Sequence, residues 1–91
     1  MADMKRALVT GGSGALGSAI CEKLALDGFE VFIHANSAVQ NAHALAQKII
    51  DAGGAAQVLG FDITDAQAVR AAVEPLAEEK AFQVIVNCAG I

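Results

Sequence analysis

The 91-residue sequence contains no tryptophan and no tyrosine, one proline, two cysteines and only six lysines and arginines. No basic cluster follows Lys5-Arg6, and ten acidic residues bring the formal charge to −4, which excludes the electrostatic footprint of a nucleic-acid partner. Long hydrophobic runs are missing as well. The apolar stretch after Lys5-Arg6 breaks at Thr10-Gly11-Gly12, short of the roughly 7 to 15 residues of a secretory core. No run approaches the roughly 18 residues of a membrane span. The expectation is a soluble, cytoplasmic protein with no membrane partner. Cys21 and Cys88 lie far apart, outside any C-x-x-C spacing and away from a histidine cluster, so they read as reduced, buried thiols, and no metal set is expected. No linker, repeat or low-complexity stretch divides the chain, and its length allows one domain at most.

What is present is globular in composition: 55% hydrophobic and 18% charged. Strand and helix patterns alternate from end to end, the sign of βαβ units and a parallel sheet. A first strand is expected at Arg6–Thr10. A helix follows from Ala15 to Asp27 with Leu16, Ile20 and Leu24 on one stripe, and Gly28 stops it. Glu30–Ala35 reads as the second strand, and Asn36-Ser37 opens a second helix whose apolar face is Ala42, Leu45, Ala46, Ile49 and Ile50. Gly53-Gly54 ends that helix, and Ala56–Phe61 gives a third strand. Thr64 with Gln67 three residues on forms a capping box that starts a third helix at Asp65. Its face is Ala66, Val69, Ala72, Val73, Leu76 and Ala77. Pro75 removes a backbone donor late in that pattern and predicts a kink or an early end. Phe82–Val86 is the fourth strand.

Right-handed crossovers put the first two helices on one face of the sheet and the third on the other, giving an α/β fold with strand order 3-2-1-4. That is the N-terminal half of a Rossmann, doubly wound parallel sheet. The path reverses between strands one and four, and open α/β sheets bind ligands at that reversal. Two loops meet there, Gly11–Gly17 and Asn87-Cys88-Ala89-Gly90.

The first of these loops is the main functional signal. It stands after a strand and before a helix, where glycines let a phosphate approach backbone N–H groups and the helix start offers unpaired donors to an anion. Gly12-x-Gly14-x-x-Gly17 fits the dinucleotide pattern G-x-G-x-x-G in its proper context. A P-loop would need lysine where Ser18 stands, which argues against nucleoside triphosphate hydrolysis. Each further candidate has a bland counterpart: Asp62 as a strand end that helps cap the third helix, Asn87 as a turn residue, His34 and His43 as plain surface or strand-end histidines.

Thr10-Gly11-x-x-x-Ala15-x-Gly17, Asp62-Ile63-Thr64-Asp65 and Asn87-Cys88-Ala89-Gly90, in this order at successive strand ends, resemble the short-chain dehydrogenase/reductase family. The wording Ala7-Leu8-Val9-Thr10-Gly11-Gly12-Ser13-Gly14 is most similar to its 3-oxoacyl-[acyl-carrier-protein] reductase branch. Ala15 replaces the usual glycine, and Cys88 replaces the second asparagine of N-N-A-G. The resemblance implies that Gly11, Ser13, Gly14, Leu16 and Gly17 line a pyrophosphate. It also implies that Asp62 and Ile63 meet the adenine, and that Asn87, Ala89 and Gly90 border the adenosine ribose.

An acid at the end of strand two would bind the 2′-hydroxyl of NAD and repel a 2′-phosphate. His34-Ala35-Asn36-Ser37 contains none, so NADP is favoured, with Asn36 and Ser37 as hydrogen-bonding candidates and NAD still possible. The family's chemistry uses a serine and a Tyr-x-x-x-Lys helix, and this sequence has no tyrosine. No catalytic residue is therefore assigned, and the 91 residues alone are expected to be inactive. Residues 1–91 read as a partial NAD(P)-binding domain truncated after strand four, from a reductase of roughly 250 residues. The alternatives are a non-catalytic NADP-binding module or an inactive truncated remnant. Full-length relatives are expected to be homo-oligomers.

Overall fold

In the computed structural model, which describes residues 4–12, 14–37 and 39–88, two central strands carry almost no exposed residue. β1 (Arg6–Thr10) and β2 (Glu30–Ala35) are flanked by β3 (Ala55–Gly60) and β4 (Phe82–Asn87) in a parallel sheet of order β3-β2-β1-β4. Burial tracks sheet position: β1 and β2 are covered on both faces, whereas edge strand β4 alternates and leaves Ile85 65% exposed. The expected order and the four strands are all present, with β3 one residue earlier than its expected span.

Between them run α1 (Ala15–Leu26), α2 (Val39–Asp51) and α3 (Ala66–Glu79). α1 and α2 share a face of the sheet, where Cys21, Ala42, Leu45, Ala46 and Ile49 pack on Val9, Val31, Ile33 and Ala35. Burial pushes the Cys21 thiol up to about 12, with smaller contributions from Cys88 and Glu22, so it stays protonated as a core residue. Glu22 and Lys48 form an ion pair at 3.0 Å across the two helices.

Five expectations about the helices are corrected. On α1 the fully buried positions are Gly17 and Cys21, while Leu16 is 53% exposed. The helix sits so close to the glycine loop that only a residue without a side chain fits against it, which turns Leu16 outward. α2 begins at Val39, leaving Asn36 and Ser37 as an exposed bend, and Ile50 is exposed rather than part of its buried face. The start of α3 is not a Thr64–Gln67 capping box. Asp65 caps it, accepting from the Gln67 and Ala68 N–H groups, while the Thr64 hydroxyl donates to Asp62. Finally, of the kink or early end expected at Pro75, the early end is absent: α3 runs on to Glu79. Pro75 and Ala71, whose carbonyl loses the helical donor, both face solvent, where water can take up the freed acceptor.

α3 is held to the opposite face by one buried cation. Arg6, 6% exposed, donates from Nε to Glu30 at 3.2 Å and from Nη2 to Glu79 at 2.7 Å. Its Nη1 donates to the carbonyls of Leu76 and Lys80 at 2.9 and 3.3 Å. The guanidinium lies 5.2 Å from the centroid of Phe32, whose ring meets Phe82 edge-on. The hydrogen bond to Glu79 is the largest influence raising the Arg6 pKa, against burial, with Glu30 adding to it. Since no residue of α3 is fully buried, this polar tie is the main anchor of its C-terminal end. Arg6→Met keeps the apolar stem but removes the cation that pairs with Glu30 and the donor to the Lys80 carbonyl, while the Leu76 carbonyl keeps the Lys80 N–H. The expected loss is about 2 kcal/mol of stability, read as a lower denaturation midpoint. An unchanged midpoint would show that the anchor contributes nothing.

Candidate functional site

The C-terminal ends of β1, β2 and β4 converge on the loop between β1 and α1. Gly11 takes φ +65, the left-handed conformation that L side chains rarely adopt, and turns the chain out of the strand. Gly17 returns beneath it so closely that a Cβ there would lie 2.5 Å from the Gly11 carbonyl oxygen and 2.7 Å from the Gly12 Cα. The two glycines meet backbone to backbone, which fixes the start of α1 under the loop.

The donors this loop can offer an anion follow from its hydrogen bonds. The Gly11 N–H donates to His34 Nδ1 at 3.1 Å, and the Gly12 N–H donates to the His34 carbonyl at 2.9 Å. Both amides are thus committed inside the fold. The Gly14 N–H donates to the Gly11 carbonyl, and the first intrahelical bond is Ser18 N–H to the Gly14 carbonyl at 2.7 Å. The amides of Ala15, Leu16 and Gly17 precede that bond, in the first turn, where backbone donors have no intrahelical acceptor. Gly14 is the N-cap and has no side chain to cap them, and no acidic residue stands in the first turn to repel an anion. Ala15 and Leu16 are exposed, so this end of the helix is open to a ligand. Ser13 lies outside the described residues.

Beside the loop, β1 and β4 are tied together at the sheet's reversal point. The Thr10 hydroxyl donates to Asn87 Oδ1 at 2.8 Å, and the Cys88 N–H donates to the Thr10 carbonyl at 3.0 Å. Asn87 is therefore the last residue of β4 and bound to the first strand, rather than a free turn residue. Ala89 and Gly90 lie outside the described residues.

The third side of the crevice is the segment after β3. Asp62 is exposed, and one of its carboxylate oxygens accepts both the N–H and the hydroxyl of Thr64, at 2.9 and 2.7 Å. Those bonds, the hydroxyl first, hold the Asp62 pKa below its ordinary value, so the carboxylate is ionised and its other oxygen is available as an acceptor. Ile63 is 37% exposed beside it. At the end of β2, Asn36 and Ser37 are exposed with no acid adjoining them.

His34, which reads in the sequence as a plain surface or strand-end histidine, lies near the end of β2 but is a buried junction and not a surface residue. It is 1% exposed. Nε2 lies 2.8 Å from the Phe61 carbonyl, and the ring stacks at a tilt on that of Phe61 at 4.1 Å. A carbonyl can only accept, so Nε2 carries the proton and Nδ1 is free to accept from Gly11. Nothing in the local pattern marks this role except a polar residue inside an otherwise apolar strand.

This geometry, a glycine turn at a strand end, an open helix start and a reversal point, runs through a chain whose residues 5–91 match the short chain dehydrogenase family. The chain belongs to that family. The short-chain reductase protein NovJ of Streptomyces niveus is 42% identical to it over 86 residues, 93% of this chain and 32% of the relative. The 3-oxoacyl-[acyl-carrier-protein] reductase FabG of Aggregatibacter actinomycetemcomitans is 40% identical over 57 residues, 63% of this chain and 24% of the relative. Among solved structures, a metagenomic short-chain oxidoreductase in complex with NADP superposes with a TM-score of 0.88 at 32% identity. That match covers 96% of this chain and 39% of the oxidoreductase. This short-chain dehydrogenase chain thus spans about a third of the length of the proteins it matches.

Proposed function

We propose that residues 1–91 are the dinucleotide-binding part of an NADP(H)-dependent short-chain dehydrogenase/reductase. The observation that carries this reading is the uncapped start of α1 beneath the glycine turn, at the reversal point of the sheet. The residues suit the cofactor: backbone donors for a pyrophosphate, no acid in the first turn of α1, and no acid at the exposed end of β2. The amides of Ala15, Leu16 and Gly17 would hold the pyrophosphate within the loop bounded by Gly11, Ser13 and Gly14. Asp62 and Ile63 would take the adenine, Asn87, Ala89 and Gly90 the adenosine ribose, and Asn36 and Ser37 the 2′-phosphate. When bound, the cofactor supplies a hydride.

What these residues contribute is binding and orientation. With no tyrosine in the sequence, the 91 residues hold no Tyr-x-x-x-Lys pair, and we assign them no catalytic residue. For the whole protein, a reductase resembling the 3-oxoacyl-[acyl-carrier-protein] type is the reading that the Ala7–Gly14 wording and the likeness to the Aggregatibacter enzyme support. It is tested by NADPH oxidation with an acetoacetyl thioester.

Cofactor choice gives a sharper test. Asn36→Asp places a carboxylate where it can accept from a ribose 2′-hydroxyl and repel a 2′-phosphate. NADPH affinity is expected to fall by about tenfold or more while NADH affinity rises. Titration of both cofactors against the full chain reads the ratio. An unchanged ratio would remove Asn36 from the 2′-phosphate site, and no binding of either cofactor to the unmutated chain would remove the proposed function itself.

A further inference from the structure

We propose that His34 is a positioning residue that sets the pyrophosphate loop and the adenine-side segment in register through its two ring nitrogens. The inference rests on the dinucleotide reading of the site and deepens it.

The imidazole stands between the two segments and is bonded to both. Nδ1 accepts from Gly11, the turn residue that shapes the pyrophosphate loop, and Nε2 donates to the carbonyl of Phe61, the residue before Asp62 and Ile63. The His34 carbonyl takes the next amide of the loop, Gly12. Two bonds to one residue thus fix the loop against β2, and the Nε2 bond with the stacked Phe61 ring fixes the other segment against the same imidazole. At 1% exposure His34 has no access to a ligand, so its part in binding is indirect. A dinucleotide spans both segments, and its affinity depends on their spacing. A fragment that reaches one segment does not.

The ring's asymmetry makes the idea testable, because asparagine and glutamine each preserve one half of it. In His34→Asn the amide oxygen stands near the place of Nδ1 and can still accept from Gly11. In His34→Gln the longer side chain reaches toward Phe61 and leaves the Gly11 N–H without its acceptor. NADPH titration of the full chain is expected to show a loss of about tenfold or more for each variant, since His34→Asn breaks the tie to Phe61 and His34→Gln the tie to Gly11. Adenosine 2′-phosphate, which reaches only the adenine side, is expected to keep its affinity in both variants. Denaturation midpoints measured alongside separate loss of fold from loss of register. Unchanged NADPH affinity in either variant, or losses that follow stability alone, would overturn the positioning role.

A second readout does not depend on ligand. Imidazole nitrogen NMR of the unmutated chain is expected to show a neutral ring with the proton on Nε2. A proton on Nδ1 overturns the inference even if NADPH binds normally. A chain that does not bind NADPH at all overturns the dinucleotide reading, and the positioning role with it.

Discussion

Replacing Gly14 by aspartate is expected to stabilise the fold and to remove cofactor binding. Gly14 is the N-cap of α1, with φ −74 and ψ 173, an extended conformation open to any residue, and it provides no side-chain cap. Aspartate is among the best residues at such a position, because its carboxylate accepts from the second and third amides of the helix and its charge suits the positive end of the helix dipole. The expected gain over glycine is a few tenths of a kcal/mol, seen as a slightly higher denaturation midpoint. The amides it would satisfy are those of Leu16 and Gly17, which are proposed to hold the cofactor's pyrophosphate. The carboxylate would therefore occupy the anion site and repel the ligand. Losing two charge-assisted hydrogen bonds costs about 2.7 kcal/mol, roughly 100-fold in NADPH affinity. Gly14→Asn, a cap without the charge, should lose less. The uncapped helix start would then be a case of stability given up for binding. Retained NADPH affinity in Gly14→Asp would mean that the phosphates bind elsewhere.

Three residues on, the smallest possible substitution has the opposite stability effect. Gly17→Ala adds one methyl group, and in a solvent-exposed helix it would be favourable by about 1 kcal/mol through helix propensity. Here the added Cβ would lie 2.5 Å from the Gly11 oxygen and 2.7 and 3.0 Å from the Gly12 Cα and carbonyl carbon. All three are backbone atoms, so no side chain can swing away to relieve the contact. Either α1 must lift from the loop or Gly11 must leave its turn, and the second course breaks the bonds to His34. Overpacking of this kind costs about 1 to 3 kcal/mol beyond the propensity gain. We expect a net loss of about 2 kcal/mol with loss of NADPH binding, checked by denaturation and titration together. If Gly17→Ala were as stable as the unmutated chain, the close contact of α1 with the loop would be wrong.

The two variants separate what one glycine motif contains. Gly14 is a matter of ligand access and Gly17 a matter of packing, although the pattern G-x-G-x-x-G presents them alike. Much else was legible along the chain. β1 and β2 carry the expected bounds because their apolar runs are fully buried, and the helices end near Gly28 and Gly53 because glycine stops them. The strand order is the one expected of a doubly wound sheet with right-handed crossovers.

Less legible were the features that depend on neighbours in space. Leu16 continues the helical period of Ile20 and Leu24, yet the contact between α1 and the loop presents Gly17 and Cys21 to the core and leaves Leu16 in solvent. Thr64 and Gln67 have the spacing of a capping box, but two acidic residues compete, so that Asp62 engages the Thr64 hydroxyl and Asp65 caps the helix. Pro75 carries the usual signal of a helix end, and the solvent-facing position of Ala71 lets the helix continue. Arg6 reads as one of a pair of N-terminal basic residues, although it anchors α3 some seventy residues away.

The sequence by itself determined the order of elements, the parallel sheet, the place where a dinucleotide would bind and the family resemblance, since each is written in local periodicity or short motifs. The tertiary structure alone decided which amides of the glycine loop remain for an anion and which are bound by His34. That choice depends on the hydrogen bonds of the Gly11 and Gly12 N–H groups to His34, which join segments far apart along the chain. Such a contact leaves no periodic trace, because it is set by the spacing of parallel strands and the packing of helices on them.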